Sequence, residues 1–238
     1  KASSGYLRPT LRRPSFCAKD ILYIDNHVLL VNKPAGLLSQ GDRTGDVDVS
    51  TLAREYIRVA AKKTGEAFVA LVHRLDRPVS GVMCVARTSK AAARLSAAFR
   101  TRDGIQKIYY AVVAGKVCGS GTRRDLLEAS RDKSGGGGGA AAAGSNAVGL
   151  SSAAAAGLRC PLTGEPRTLI RLRLITGRKH QIRVQLAEMG HPVVGDTRYA
   201  GRRRRLEPLE DRSILLHASE LSFPHPTRVG ERVRAAAP

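Results

Sequence analysis

Residues 73–81 read HRLDRPVSG and connect two apolar runs, 68–72 and 81–86, that have the pattern of buried strands. The segment holds one carboxylate, Asp76, between two arginines. Loops on a rigid scaffold are where catalytic groups concentrate, and neighbouring guanidinium groups favour the ionised carboxylate that a nucleophile needs at neutral pH. Asp76 is therefore a candidate catalytic residue.

A purely structural turn is the alternative explanation for this segment. Asp76 would then form an ion pair with Arg74 or Arg77 and take no part in chemistry. A hydrolase that uses two carboxylates is disfavoured, because no second acidic residue lies near Asp76 in the sequence.

Two further segments combine polar and apolar residues in the same way. Residues 106–111 read QKIYYA and lie in a predicted strand, and residues 176–184 read TGRKHQIRV and open a predicted helix over 179–189. Arg183 falls on the flank of the apolar stripe of that helix, between core and solvent. An arginine at this position would be held firmly and could still reach a cleft.

From residue 20 onward, the chain alternates between strand and helix patterns. The first helix begins at Asp48 or Ser50 and ends near residue 63, and the second begins with Ser89 as its cap. In the run 168–175, apolar residues alternate with arginines, which indicates a strand with one basic face. The predicted strands cover residues 21–24, 27–34, 68–72, 81–86, 106–113, 168–175, 214–217 and 220–223.

The domain organisation follows from composition. Residues 129–159 are dominated by Gly, Ala and Ser, and too little apolar surface is available there to offset the cost of ordering. We expect a flexible insert that divides the sequence but not the fold. The expected arrangement is a basic extension over residues 1–19 and one domain over 20–238.

The charge of the chain indicates a polyanionic partner. Its 238 residues include 40 Lys and Arg against 20 Asp and Glu, for a net charge of +20. RNA or DNA is the usual partner of such a protein, and a solvated basic surface is the alternative.

Other compositional features bear on cofactors and location. The four cysteines lie far apart without a histidine at metal-ligand spacing, so no metal site is predicted. No run approaches the about 20 apolar residues of a membrane span, so no membrane partner is predicted. The basic, acid-free residues 1–19 are either the end of a transit peptide, which predicts mitochondria or another organelle, or an RNA-binding arm of a cytoplasmic or nuclear protein.

Together, the three segments resemble the active-site motifs of the RluA-type pseudouridine synthases, which isomerise uridine in RNA. The His-Arg-Leu-Asp run is complete over residues 73–76, and the following Ser-Gly matches at 80–81, with Val79 where the family has threonine. The Lys-x-Tyr-x-Ala motif matches over 107–111, and Thr-Gly-Arg-x-His-Gln-Ile-Arg is complete over 176–183. Residues 190–196 and 215–218 also match family segments, and we interpret them as structural.

The resemblance implies a role for each matching residue. Asp76 is the essential catalytic residue, Tyr109 stacks on the uracil and is a candidate for helping to remove the C5 proton, and Arg183 pairs with the aspartate. The catalytic set is thus Asp76, Tyr109 and Arg183. The residues implied to bind RNA are Arg74, Arg77, Lys107, Arg178, Lys179 and His180. We interpret the histidines His73, His180 and His217 as hydrogen-bonded structural residues and not as proton carriers.

The resemblance also implies the fold and the function. The fold is α+β, with a mixed, largely antiparallel central sheet that is flanked by helices and has a central catalytic cleft. The function is the isomerisation of uridine to pseudouridine in structured RNA, with ribosomal RNA favoured over tRNA and with no cofactor or metal. Two alternatives stay open: an inactive family member that binds RNA in large-subunit assembly, with pre-ribosomal particles as partners, and a basic ribosome-associated protein without an active site.

Overall fold

A computed structural model describes residues 15–62, 64–125, 146–151, 158–161, 163–201 and 209–238 of the chain. Within these residues, ten strands form one sheet. The strands are β1 (Ile21–Ile24), β2 (Val28–Lys33), β3 (Ala70–Leu71), β4 (Ser80–Ala86), β5 (Gln106–Ala114), β6 (Ser120–Asp125), β7 (Asn146–Ser151), β8 (Arg167–Leu174), β9 (Leu216–Pro224) and β10 (Arg232–Ala236). The helices are α1 (Val49–Ala60), α2 (Ser89–Thr101) and α3 (Gln181–Glu188).

The sheet is mixed and largely antiparallel, which confirms the expected α+β fold. Its strand order is β1-β2-β4-β9-β5-β8-β7-β6, with β3 also paired to β4 and β10 to β9. The parallel pair is β4 and β9, which meet over only two residues of each strand. This short junction connects β1 to β4 on one side with β5 to β8 on the other.

Gly81 makes the junction possible. It pairs with Ala218 and has φ +118°, a conformation that strains any residue with a side chain. A Cβ atom at this position would overlap the carbonyl oxygen of Ala218 and lie 2.6 Å from its nitrogen. The glycine that ends the 73–81 segment is therefore required by the approach of two backbones.

The apolar residues form one core on each face of the sheet. Successive residues of β2 alternate between them: Leu29 and Val31 face α1 and α3, whereas Val28 and Leu30 face α2 and β10. Burial on both faces explains why the central strands are almost continuously apolar. No helix among the described residues has the length and apolar composition that are needed to cross a membrane.

The helix starts are set by side-chain caps. Of the two predicted starts of α1, Asp48 is right, because its carboxylate accepts hydrogen bonds from the backbone N–H groups of Ser50 (2.7 Å) and Thr51 (3.2 Å). The predicted cap Ser89 is wrong. Thr88 is the cap of α2, and its hydroxyl accepts from the N–H of the third helical residue at 3.2 Å.

The end of the chain differs from the prediction. The two predicted strands 214–217 and 220–223 are one strand, β9, and the additional strand β10 follows. Consecutive residues of β5 pair with Glu220 and Ala218, so Ser219 is an extra residue in a β-bulge. The bulge interrupts the alternation of buried and exposed residues along β9. A pattern with this interruption predicts two short strands where the structure has one.

Part of the predicted flexible insert has regular structure. Residues 146–151 form β7, which pairs with β6 on one side and β8 on the other, so for these residues the prediction is wrong. Backbone hydrogen bonds to two neighbouring strands can order a segment whose composition offers little apolar surface. Residues 129–145 and 152–157 of the insert lie outside the described residues.

Candidate active site

Asp76 lies in the loop between β3 and β4, and the backbone on either side of it is held in place. The N–H of Val79 donates to the carbonyl oxygen of Asp76 at 3.1 Å, which closes a turn. The preceding Leu75 is fixed on both backbone groups by Ser39, whose hydroxyl donates to its carbonyl at 2.6 Å and accepts from its N–H at 3.1 Å. The Asp76 side chain is 25% exposed, so a ligand in the cleft can reach it.

A buried lysine supports this loop from below. Lys33, at the end of β2, has no exposed surface, and its Nζ donates to the carbonyl oxygens of Pro34 (3.0 Å), Leu37 (2.8 Å) and Arg77 (3.2 Å). Burial lowers the pKa of Lys33 to about 7, although the nearby carboxylate of Asp76 raises it. Lys33 thus connects β2 to the Asp76 loop, a role that nothing in the local sequence pattern indicated.

Arg183 lies between two carboxylates. Its Nη1 donates to Oδ2 of Asp76 at 2.9 Å, while Nε and Nη2 donate to the two oxygens of Asp196 at 2.6 Å and 2.9 Å. The side chains of Arg183 and Asp196 are 7% and 1% exposed. Asp196 therefore fixes the plane of the guanidinium group and leaves one N–H to point at Asp76.

The two carboxylates keep Arg183 charged in this site. Burial alone would lower the pKa of the guanidinium group, but the hydrogen bonds that it donates to Asp196 and Asp76 outweigh burial and raise this pKa. A permanently charged guanidinium group therefore lies within hydrogen-bond distance of the Asp76 carboxyl group.

Tyr109 of β5 lines the same cleft and is 8% exposed. Burial raises the pKa of its phenol, and the negative charge of Asp76 raises it further. Tyr109 therefore keeps its proton near neutral pH. It is suited to stack on a planar base or donate a hydrogen bond, and unsuited to act as a phenolate.

His180 is the second polar group that faces Asp76. Its Nε2 lies 3.6 Å from Oδ2 of Asp76, and its Nδ1 lies 2.6 Å from the hydroxyl oxygen of Tyr199. The residue precedes α3 with φ 55° in the left-handed region, and its side chain makes no capping hydrogen bond. Burial lowers the pKa of His180, while Asp76 raises it and Arg183 lowers it.

The structure brings all nine sequence-predicted site residues to one cleft. The cleft has a volume of about 1050 Å³, and eight of its described lining residues are Lys or Arg whereas two are Asp. The nine predicted residues that line it are Asp76, Tyr109, Arg183, Arg74, Arg77, Lys107, Arg178, Lys179 and His180. A cleft with this charge attracts a polyanion.

The side chain of Arg77 also makes contacts within the protein. Its Nε donates to the carbonyl oxygen of Gly36 at 3.0 Å, and its Nη2 lies 2.8 Å from a carboxylate oxygen of Asp46. These contacts connect the Asp76 loop to the segment after β2. The prediction that Arg77 also binds RNA stays a prediction.

Phe99 of α2 contacts two other residues in the wall of the cleft. Phe99 stacks on His73 with ring centroids 4.8 Å apart, and Nζ of Lys107 lies 4.8 Å from the centre of the same ring. Nε2 of His73 accepts a hydrogen bond from the backbone N–H of Cys84 at 2.9 Å, and burial lowers the pKa of His73. His73 is thus a neutral, hydrogen-bonded histidine in the wall of the cleft, and the hydrogen bond agrees with the structural role that the sequence predicts.

Sequence reasoning missed two residues of the site. Asp196 lies in the segment 190–196, which was interpreted as structural, and the Gly-Asp pair at its end was the one available signal. No signal in the sequence pointed to Tyr199, because its contact with His180 depends on how the chain turns after Asp196. No group of three or more His, Cys, Asp or Glu residues that could hold a metal ion occurs in the described part of the chain.

Comparison with known proteins agrees with these motifs. The family model described as RNA pseudouridylate synthase matches residues 27–188. The chain is 35% identical over 239 residues to the ribosomal large subunit pseudouridine synthase D of Xanthomonas campestris pv. campestris, covering 92% of this chain and 65% of that protein. It is 37% identical over 212 residues to the dual-specificity RNA pseudouridine synthase RluA of Vibrio parahaemolyticus, covering 87% of this chain and 78% of the relative.

Solved structures show the same fold. Human RNA pseudouridylate synthase domain containing 4 superposes with a TM-score of 0.68 at 22% identity, covering 92% of this chain and 88% of that one. The family match covers most of the chain and includes the Asp76 and Arg183 segments. The chain therefore belongs to the RNA pseudouridylate synthase family, and within it to the RluA-type group that its three motifs resemble.

Proposed function

We propose that this protein isomerises uridine to pseudouridine in RNA. The observation that carries the proposal is the position of Asp76, a partly exposed carboxylate that receives Nη1 of a fixed Arg183 at the base of a basic cleft. The chain spans 65% of the length of the large-subunit relative, so its activity, substrate and partners are proposals and do not follow from family membership alone.

The reaction breaks and forms bonds and moves protons, but it involves no oxidation or reduction. The bond between C1′ of the ribose and N1 of the uracil breaks, and a bond between C1′ and C5 forms. C5 loses a proton and N1 gains one, so the atoms balance without an oxidant, a reductant or a second substrate. Asp76 would act at the ribose, either by attack or by proton removal, and both routes need it ionised.

The surroundings of Asp76 suit this role. Tyr109, with its phenol protonated, would stack on the uracil while the base is detached and turned. The base has to leave its stack in the RNA, at a cost of about a few kcal/mol. Contacts of the basic residues with the phosphate backbone would offset this cost and make binding strongly dependent on salt.

The departure from the family motif at Val79 is accommodated in the fold. The Val79 side chain is 3% exposed and belongs to the core on the α1 and α3 face. The turn that presents Asp76 is closed by the backbone N–H of this residue, so it does not need the hydroxyl of a threonine. For this reason we favour an active enzyme over an inactive assembly factor.

We propose large-subunit ribosomal RNA as the first substrate to test and tRNA as the second. Relatives named for both kinds of RNA support this choice. A role in ribosome assembly, pre-ribosomal particles as partners and an organellar location stay predictions.

Release of tritium from RNA labelled at C5 of uridine tests the proposal. We expect release with an unmodified transcript of large-subunit ribosomal RNA or of tRNA, and a primer-extension stop after carbodiimide treatment should locate the product. Asp76→Asn keeps the shape of the side chain and loses its charge, so release should fall by roughly a thousandfold or more while RNA affinity stays close to that of the wild type.

Two results would contradict the proposed function. The first is the absence of tritium release from both RNAs at enzyme concentrations that saturate binding. The second is an Asp76→Asn variant that keeps activity within tenfold of the wild type.

A further inference from the structure

His180 has a conformation and a set of neighbours that RNA binding does not explain. Its φ of 55° lies in the left-handed region, and its side chain makes no capping hydrogen bond to α3. The side chain is 12% exposed and lies between Asp76 and Tyr199. Its ring is therefore held beside the Asp76 carboxyl group and is not used to cap the helix.

The two ring nitrogens face chemically different partners. Nδ1 lies 2.6 Å from the phenol oxygen of Tyr199, which can accept its proton in a hydrogen bond. The lone pair of Nε2 then faces Oδ2 of Asp76 at 3.6 Å. This distance is slightly longer than a hydrogen bond, as is common for catalytic contacts before the substrate is bound.

The proposed isomerisation leaves a proton that must be carried away. We propose that His180 is a proton carrier for Asp76, in place of the structural role that the sequence predicts for it, and this inference rests on the proposed function. Asp76 takes the proton from C5, and the electron pair of the C–H bond restores the ring double bond. His180 accepts that proton at Nε2 from Oδ2 of Asp76, which regenerates the carboxylate. The imidazolium releases its proton to water, and N1 of the uracil takes one from water.

The charges around His180 fit a base that is neutral at rest. Burial lowers the pKa of His180 below 6.5, Asp76 raises it, and three positive groups lower it. Among the described residues, the charged groups that face the ring are Asp76 from the β3–β4 loop, Arg183 of α3, Lys179 just before α3, and Arg198 after the Asp196 segment. His180 is therefore ready to accept a proton near neutral pH and to release it again.

The first experiment separates proton transfer from RNA binding. His180→Asn keeps a residue that tolerates the left-handed conformation and cannot carry a proton. We expect kcat for tritium release to fall by about 10² to 10⁴ with KM unchanged, because this is the usual contribution of a positioned proton carrier. An unchanged kcat, or a rise in KM alone, would overturn the proposal, and the second result would assign His180 to RNA binding.

The dependence of kcat on pH gives a second readout that a structural role would not move. Protonated His180 cannot accept a proton, so kcat should fall as pH falls through the pKa of His180, which burial holds below its ordinary value. We call this fall of kcat at low pH the acid limb of the pH profile. Arg198→Gln removes a positive charge that lowers the pKa of His180, so the acid limb should move to higher pH. In His180→Asn the acid limb should be lost. A limb that persists unchanged in His180→Asn would overturn the proposal.

A matched control removes a different histidine that is linked to α3. His191 follows the helix at its far end, and its Nδ1 bonds the carbonyl oxygen of Ala114 at 2.9 Å outside the cleft. His191→Asn should lower the melting temperature and leave kcat and the acid limb unchanged. A change of the limb in this variant would show that the limb reports stability and would overturn the proposal.

An NMR titration tests the contact without any RNA. The imidazole nitrogens of His180, assigned by comparison with His180→Asn, should titrate at lower pH in Asp76→Asn, because Asp76 raises the pKa of His180. An unchanged pKa would overturn the proposal. A wild type that releases no tritium would instead contradict the proposed function, and the titration would still show whether the two side chains are coupled.

Discussion

The geometry of Arg183 predicts that Asp196, which does not face the substrate, controls catalysis. Asp196→Asn keeps the volume of the side chain but replaces one acceptor oxygen with an NH₂ group. Arg183 donates Nε and Nη2 to the two oxygens, so one N–H of the guanidinium group would then meet another donor. The group would lose its fixed plane, and its contact with Asp76 would lose direction.

The expected magnitude follows from burial. Both side chains are at most 7% exposed, and the loss of one partner from a buried pair costs about 3–5 kcal/mol. Because the amide keeps one hydrogen bond, we expect the lower end, roughly 3 kcal/mol. For a protein of this size that corresponds to a decrease of roughly 6–12 °C in the melting temperature. A displaced Nη1 should also reduce kcat by about a hundredfold, the scale for small misplacements in a catalytic site.

Differential scanning calorimetry and the tritium-release assay would measure these two effects. Glu55→Gln is the matched control, because it makes the same carboxylate-to-amide change in an exposed pair with Arg58. Surface pairs contribute little, so the control should leave both the melting temperature and kcat unchanged. A variant Asp196→Asn with wild-type kcat and melting temperature would refute the reasoning, because other contacts would then hold Arg183.

Three further changes test other parts of the structure. Arg183→Lys should retain little activity, because a single ammonium group cannot contact two carboxylates in the geometry of the guanidinium group. A variant with the kcat of the wild type would contradict this. Lys33→Met should lower the free energy of unfolding in urea by about 1–3 kcal/mol, because the buried carbonyl group of Leu37 and the part-buried ones of Pro34 and Arg77 lose their donor. A smaller change would show that water replaces the ammonium group. Gly81→Ala should lower the melting temperature and tritium release together, because its Cβ would overlap Ala218, and a well-folded, fully active variant would mean that the junction can widen at no cost.

The sequence predicts well what depends on neighbours along the chain. The alternation in β8 and the Asp48 cap are local patterns, and the structure contains both. The motifs also predicted which side chains share the cleft. The family resemblance supplied that grouping, because residues 107 positions apart, such as Asp76 and Arg183, are not connected by any local pattern.

The features that were missed depend on long-range geometry. β10 and β7 are ordered by backbone pairing with strands that the sequence pattern does not identify as their neighbours. The sequence pattern indicates only that Lys33 is the polar end of a strand. Its contacts with three carbonyl groups depend on how the Asp76 loop and the segment after β2 fold over it. Asp196 belongs to a matched motif, but its link to Arg183 requires the direction of both side chains.

The position of β9 in the sheet has a consequence for synthesis of the protein on the ribosome. β9 is the ninth of the ten strands among the described residues, yet it lies between β4 and β5 in the sheet. Until residues 217 and 218 have emerged from the exit tunnel, the half that carries Asp76 and the half that carries Arg183 lack the strand that joins them. A nascent chain already contains every catalytic residue at this stage, but it cannot hold them at the distances that the finished site requires. The order of translation thus delays the active site until β9 has been made and has emerged.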